Sequence, residues 1–66
     1  MTRITWRQNA LGGIYAYNRS GTELGFLENI KVGRRYRWVF EGERDIFFTI
    51  DCLREIADKI DALEAP

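Results

Sequence analysis

The side chains that could carry out chemistry in this 66-residue chain are few and unevenly placed. There is one cysteine, Cys52, and no histidine. A thiol in the first turn of a helix can be acidified by the helix dipole, but a nucleophile also needs a base to activate or orient it, and histidine is not there to serve. Cys52 therefore reads as a half-buried structural residue at the edge of an apolar stripe. It has no second cysteine for an internal disulfide, and the usual structural zinc sets have no histidine to draw on. No metal or cofactor is expected. The carboxylates Asp51, Glu55, Asp58, Asp61 and Glu64 are spaced as a solvated helix face and not as a converging catalytic pair. The glycines at 12, 13, 21, 25, 33 and 42 sit in turns and strands without phosphate-loop spacing. No catalytic residue is assigned, and the chain reads as non-enzymatic.

Charge is where the sequence is distinctive. The stretch GRRYRWVFEGERD, Gly33 to Asp45, places four arginines around a run of aromatics in a chain of zero formal net charge. Residues 1–44 hold eight basic and four acidic side chains, a net of +4, whereas residues 45–66 hold two basic and six acidic ones, a net of −4. The neutral total hides a dipole, which raises the local potential near Arg35 and Arg37.

These residues must be positioned by a small scaffold. A hydrophobic fraction of 45% with nine aromatics predicts one folded domain over residues 1–66, compact from about Thr2 to Leu63. A chain this short buries only about 60% of the surface its unfolded form exposes, so every large apolar residue matters. The opening MTRITWRQNALGG has no apolar run of the signal-peptide kind. No window approaches the roughly 18 apolar residues of a membrane span, so the expected address is cytoplasmic, without membrane contact.

From Ile4 to Phe48, short β-rich runs alternate with turn chemistry, which predicts an antiparallel meander of four to five strands. The runs are Arg3–Gln8, Gly13–Asn18, Glu23–Ile30, Arg34–Glu41 and a short one at Ile46–Phe48. Between them lie NALGG, the loop Arg19-Ser20-Gly21-Thr22, the turn Lys31-Val32-Gly33, and Gly42–Asp45. The period then changes. Ile50, Leu53, Ile56, Ala57, Ile60 and Leu63 are spaced for one face of a helix over about 50–64. Thr49 suits the N-cap, Asp51 the positive end of the dipole, and Glu55 with Lys59 forms an i, i+4 pair. The fold class is thus α+β, a meander followed by one C-terminal amphipathic helix packed on one sheet face.

One helix covers one face. In the second run Ile14 and Ala16 oppose Tyr15 and Tyr17, and the smaller, purely apolar pair is expected inward. In the fourth run Tyr36, Trp38 and Phe40 are expected to form an inward row against the helix, with Arg35 and Arg37 outward beside Tyr15 and Tyr17. Tyr and Arg are the types enriched at binding hot spots, so Tyr15, Tyr17, Arg34, Arg35 and Arg37 are the candidate partner face. The expected partner is another protein or a second copy, because an uncovered sheet face on so small a domain gains stability when buried. A short, aromatic-rich chain without motifs suits an accessory or inhibitor protein of a phage or mobile element. Nucleic acid is the alternative partner. Phe48-Thr49-Ile50-Asp51, opening the helix, resembles the equivalent turn of AP2-type and integrase arm-binding domains, whose helix-backed sheets dock into DNA grooves. That resemblance spans a few positions, lacks the Arg/Trp pattern of those domains' first strands, and assigns no residue; a pI of about 6.2 lies below the usual basic footprint of such binders.

Overall fold

The computed structural model describes residues 3–66. Four strands, β1 (Thr5–Gln8), β2 (Ile14–Tyr17), β3 (Glu23–Val32) and β4 (Arg35–Gly42), form one antiparallel sheet in the order β1-β2-β3-β4, followed by the helix α1 (Ile50–Glu64). The α+β meander with a C-terminal helix is the architecture expected from the sequence. The expected run at Ile46–Phe48 is not a strand: residues 43–49 are irregular, and Ile46 and Phe48 instead turn into the core while Phe47 is 96% exposed.

The first two loops are built alike. Asn9 Oδ1 accepts from the N–H groups of Leu11 and Gly13, and Asn9 N–H donates to Gly13 O. Asn18 Oδ1 likewise accepts from Ser20 and Thr22, and Asn18 N–H donates to Thr22 O. In each loop the residue three after the asparagine is a glycine with positive φ, Gly12 at 91° and Gly21 at 84°. An asparagine side chain that substitutes for backbone acceptors, with a glycine free to reverse the chain, is a five-residue closure used twice. The third connection is tighter. Val32 pairs with Arg35, leaving Gly33 and Arg34 as a two-residue loop with Gly33 at φ 65°, one position later than the turn expected from sequence.

Strand parity separates two faces. Ile4, Ala16, Leu24 and Ile56 are buried together, with Trp6, Phe40, Ile46, Phe48, Cys52 and Ile60 packed around them. Leu24 reaches this side because the register between β2 and β3 shifts at Ala16/Tyr17: Ala16 pairs with Gly25 but Tyr17 with Glu23, so Leu24 is the extra residue of a bulge. Gly25, at φ 150°, has no room for a side chain. A Cβ there would collide with Glu41 O and lie 2.7 Å from the Phe40 ring. That space is filled by the aromatic pair Phe40–Phe48, edge to face at 5.7 Å.

α1 starts as its sequence requires. Thr49 caps it, its Oγ1 accepting from Cys52 N–H at 3.3 Å. Asp51 pairs with Arg3 at 3.5 Å. Glu55, expected to face solvent and to pair with Lys59, is instead half-buried, and its carboxylate accepts from the N–H groups of Arg3 (2.9 Å) and Ile4 (3.2 Å). Backbone amides just ahead of β1 have no ladder partner, so a carboxylate within reach satisfies both. Lys59 turns the other way and lies 5.8 Å from the centroid of the Trp6 ring.

Candidate functional site

β2 pairs with β3 only as far as Leu27, whereas β3 and β4 pair on to Val32 and Arg35. Residues 28–39 therefore form a two-stranded ribbon that projects about 17 Å beyond the three-stranded body, at about 3.3 Å per residue. The molecule is correspondingly elongated, 36 × 22 × 20 Å. Lys31, Arg34, Arg35 and Arg37 against Glu28 give the ribbon a net charge of +3.

The side of the sheet away from α1 carries Arg7, Tyr15, Tyr17, Phe26, Glu28, Ile30, Val32, Arg35, Arg37, Val39 and Glu41 by parity and register. No second layer of the described residues lies over it. Ile14 and Ala16 are buried at 7% and 0%, so the expectation that Tyr15 and Tyr17 face away from the core is met. Arg35 and Arg37 share that side and are exposed. The five predicted residues are not one cluster, however. Tyr15 lies across from Phe26 and stacks on it edge to face at 5.8 Å, and the Arg7 guanidinium lies 5.5 Å from the Tyr17 ring centroid. Arg37 is opposite Ile30 and Arg35 opposite Val32. These are four and six residues along β3 from Phe26, about 13 and 20 Å at strand spacing. Arg34 is in the hairpin loop. The arginines expected beside the tyrosines thus stand at the far end of the same face, because β3 outruns β2.

The expected inward row is corrected in the same way. Phe40 packs on the core and Trp38 is half-buried, but Tyr36 is 71% exposed, out on the ribbon where α1 gives little cover. α1 ends at this point: Glu64 Oε2 accepts from Trp38 N–H at 3.3 Å, at the outer edge of β4. Between ribbon and helix end lies a shallow cleft of about 390 Å³ lined by Asn29, Arg35, Tyr36, Arg37, Trp38, Leu63 and Glu64.

At the opposite end of β4 the charge changes sign. Glu41 and Glu43 follow Val39 on the uncovered side, and Glu23 sits beside Glu43. A side-chain hydrogen bond with Glu43, then desolvation, then the Glu43 charge raise the Glu23 pKa above its ordinary value. The uncovered face therefore runs from an arginine-rich tip to a glutamate-rich base through Ile30, Val32, Val39 and Phe26. Sequence reading missed this gradient within β4 because it set the charge of the sheet as a whole against that of the helix.

No family model, curated protein or solved structure matches the chain. Among the described residues no group of three or more Cys, Asp or Glu side chains is placed to hold a metal ion, and no helix is long and apolar enough to cross a membrane.

Proposed function

We propose that the chain is a small cytoplasmic protein-binding module that engages its partner through the uncovered face of its sheet. The observation behind this reading is that face itself. Ile30 and Val32 are exposed there at 37% and 49% and flanked by Arg35 and Arg37, with half-buried Val39, Phe26 and Tyr15 further along the same face. An apolar centre with aromatic and arginine neighbours is the composition of a protein interface core. Its small size and aromatic content suit an accessory or inhibitor role in a phage or mobile element. A photo-crosslinking amino acid at Ile30 tests the reading. It should trap a discrete protein adduct in the native host, and the same probe at exposed Asp58 should not. Equal capture from both positions, or none from Ile30, counts against it.

The projecting basic ribbon favours a second reading, nucleic-acid binding, since a two-stranded ribbon fits the major groove and Lys31, Arg34, Arg35 and Arg37 could meet phosphates. Fluorescence anisotropy with duplex and single-stranded oligonucleotides decides it. Submicromolar binding that weakens steeply with salt would support this reading, and binding no tighter than the non-specific range, about 10⁻⁴ to 10⁻⁶ M at physiological salt, would remove it.

A further inference from the structure

β4 is an edge strand, and its sequence is complementary to itself when reversed. Val32 and Arg35 flank a two-residue hairpin loop, so they form the hydrogen-bonded pair that closes it. By alternation Arg35, Arg37, Val39 and Glu41 turn their backbone groups toward β3, and Tyr36, Trp38, Phe40 and Gly42 turn theirs outward. Two hydrogen bonds agree: Glu43 N–H donates to Leu24 O on β3, and Trp38 N–H donates outward to Glu64. The outward groups offer a ladder to another strand.

We infer that β4 pairs antiparallel with β4 of a second copy of this chain, about a two-fold axis through Val39, to make one continuous eight-stranded sheet. This inference goes beyond the face-binding reading: it concerns the edge of the sheet, and the joined dimer leaves the uncovered face of each copy free. In that register Trp38 lies opposite Phe40 of the second copy and Tyr36 opposite Gly42, and these are the residues whose backbone groups point outward, so the hydrogen-bond pattern closes. Val39 meets Val39, Arg37 meets Glu41, and Arg35 meets Glu43, in the non-hydrogen-bonded positions where side chains approach most closely. Each pairing is a favourable kind: aromatic on aromatic, apolar on apolar, opposite charges twice over, and an exposed tyrosine above a glycine. By symmetry every unlike pair occurs twice. Moving the axis by one residue would set Val39 against Arg37 or Glu41, and moving it by two would bring Arg37 against Arg37 or Glu41 against Glu41, so the register through Val39 is the one that matches both the apolar and the charged pairs.

The helix side agrees. At 3.6 residues per turn Ile50, Leu53 and Glu64 share one flank of α1, and Glu64 marks that flank as the one at the β4 edge. Ile50 and Leu53 are 60% and 47% exposed there. The second copy brings its own α1 to the same side of the joined sheet, where the two apolar flanks can cover one another. Glu64, on the last turn of the helix and exposed, must release Trp38 N–H as the strands join.

The test is sedimentation equilibrium on the full chain and its charge variants. Wild type should be a dimer that dissociates on dilution. Arg37→Glu alone and Glu41→Arg alone should each weaken association roughly tenfold or more, since each places two like-charge pairs in the dimer. An equimolar mixture of the two variants should dimerise, because one copy then presents acidic side chains at both positions and the other basic side chains at both, so opposite charges meet at each crossing. Tyr36→Pro removes one outward N–H from an exposed edge position, where proline is tolerated, and should be monomeric with an unchanged far-UV spectrum. If that variant fails to fold, the mixing experiment still decides. A wild type that is monomeric at all concentrations overturns the inference, while the crosslinking result at Ile30 separately decides the protein-binding reading. A dimer that survives Tyr36→Pro but dissolves in Ile30→Asp means the sheets pack face to face, and also overturns it.

Discussion

The body of the molecule and its ribbon are made of the same strands, yet they obey different constraints. In the body β3 and β4 have α1 beneath them and β2 alongside, and Leu27, Phe40 and Gly25 are held by what surrounds them. A few residues further on, Tyr36 continues the row of Phe40 and Trp38 on the same face yet is 71% exposed, because α1 gives little cover there. A two-stranded hairpin is marginal by itself in water, so the ribbon is kept by its continuity with the body and its tight Gly33-Arg34 loop. The lesson is that alternation assigns a side chain to a face, but only the length of the neighbouring elements decides whether that face is covered.

The sharpest way to break this comparison is to make the same deletion in both regions. Ile56 is the buried residue of α1 and part of the core cluster with Ile4, Ala16 and Leu24. Ile56→Ala should cost about 2–5 kcal/mol, comparable with the whole stability of so small a domain, and the variant should be largely unfolded at 37 °C by circular dichroism. Ile30→Ala, one apolar residue of the ribbon, should cost less than about 0.5 kcal/mol at concentrations where the chain is monomeric. Similar losses at the two sites would mean that the ribbon is packed against something after all.

Next in size is a change that adds atoms. Gly25→Ala must place a Cβ against Glu41 O and the Phe40 ring at a φ of 150°, so it combines overpacking with backbone strain. A loss of about 1–3 kcal/mol in a urea melt is expected. Gly33→Ala has open space around its Cβ but a φ of 65°, so only the backbone term applies, roughly 1 kcal/mol. If Gly33→Ala proves the more damaging of the two, the hairpin loop, and not the core, is the critical point of the fold.

Much of this is legible in the sequence. The meander, the helix and its Thr49 cap, and the inward Ile14 and Ala16 follow from periods of two and 3.6 and from turn chemistry. What was not legible depends on lengths and registers. Arg35 and Arg37 were separated from Tyr15 and Tyr17 by the overhang of β3 past Leu27, and nothing in either strand's own pattern reports where its neighbour stops. Leu24 took an inward place through a bulge that simple alternation does not foresee. The twin loops were within reach, since Asn9 with Gly12 and Asn18 with Gly21 repeat one spacing, and so was the reversal of charge about Val39. Both require comparing a segment with another or with itself, and not reading it once from end to end.

A smaller effect probes the joint between helix and body. Glu55→Gln keeps an acceptor near the N–H groups of Arg3 and Ile4 but removes the charge that strengthens those bonds. At a half-buried site that change should cost about 1 kcal/mol. Hydrogen exchange at Ile4 should quicken in this variant with little change on the ribbon. A variant as stable as wild type, with Ile4 still protected, would show that α1 is held by its apolar face alone.

The smallest effect concerns pH at the foot of β4. Glu23 has a raised pKa in the folded chain, chiefly through its hydrogen bond with Glu43, then through desolvation and the Glu43 charge. Between its unfolded and folded pKa values the native state holds the extra proton, so stability falls as pH rises through that window and levels off once Glu23 is ionised in both states. Glu43→Gln removes the carboxyl group that shares this hydrogen bond, and with it the like charge. The other carboxylates titrate in both proteins, so the informative quantity is the difference between the urea midpoints of wild type and variant, measured at dilute monomer from pH 4 to 7. Wild type should lose ground against Glu43→Gln as pH rises and the gap should then stay constant. A gap independent of pH would mean the two glutamates do not interact in solution. A gap that closes toward neutrality would mean that Glu43 is paired with a positive group there, and at dimer concentrations that is the behaviour Arg35 of a second copy should impose.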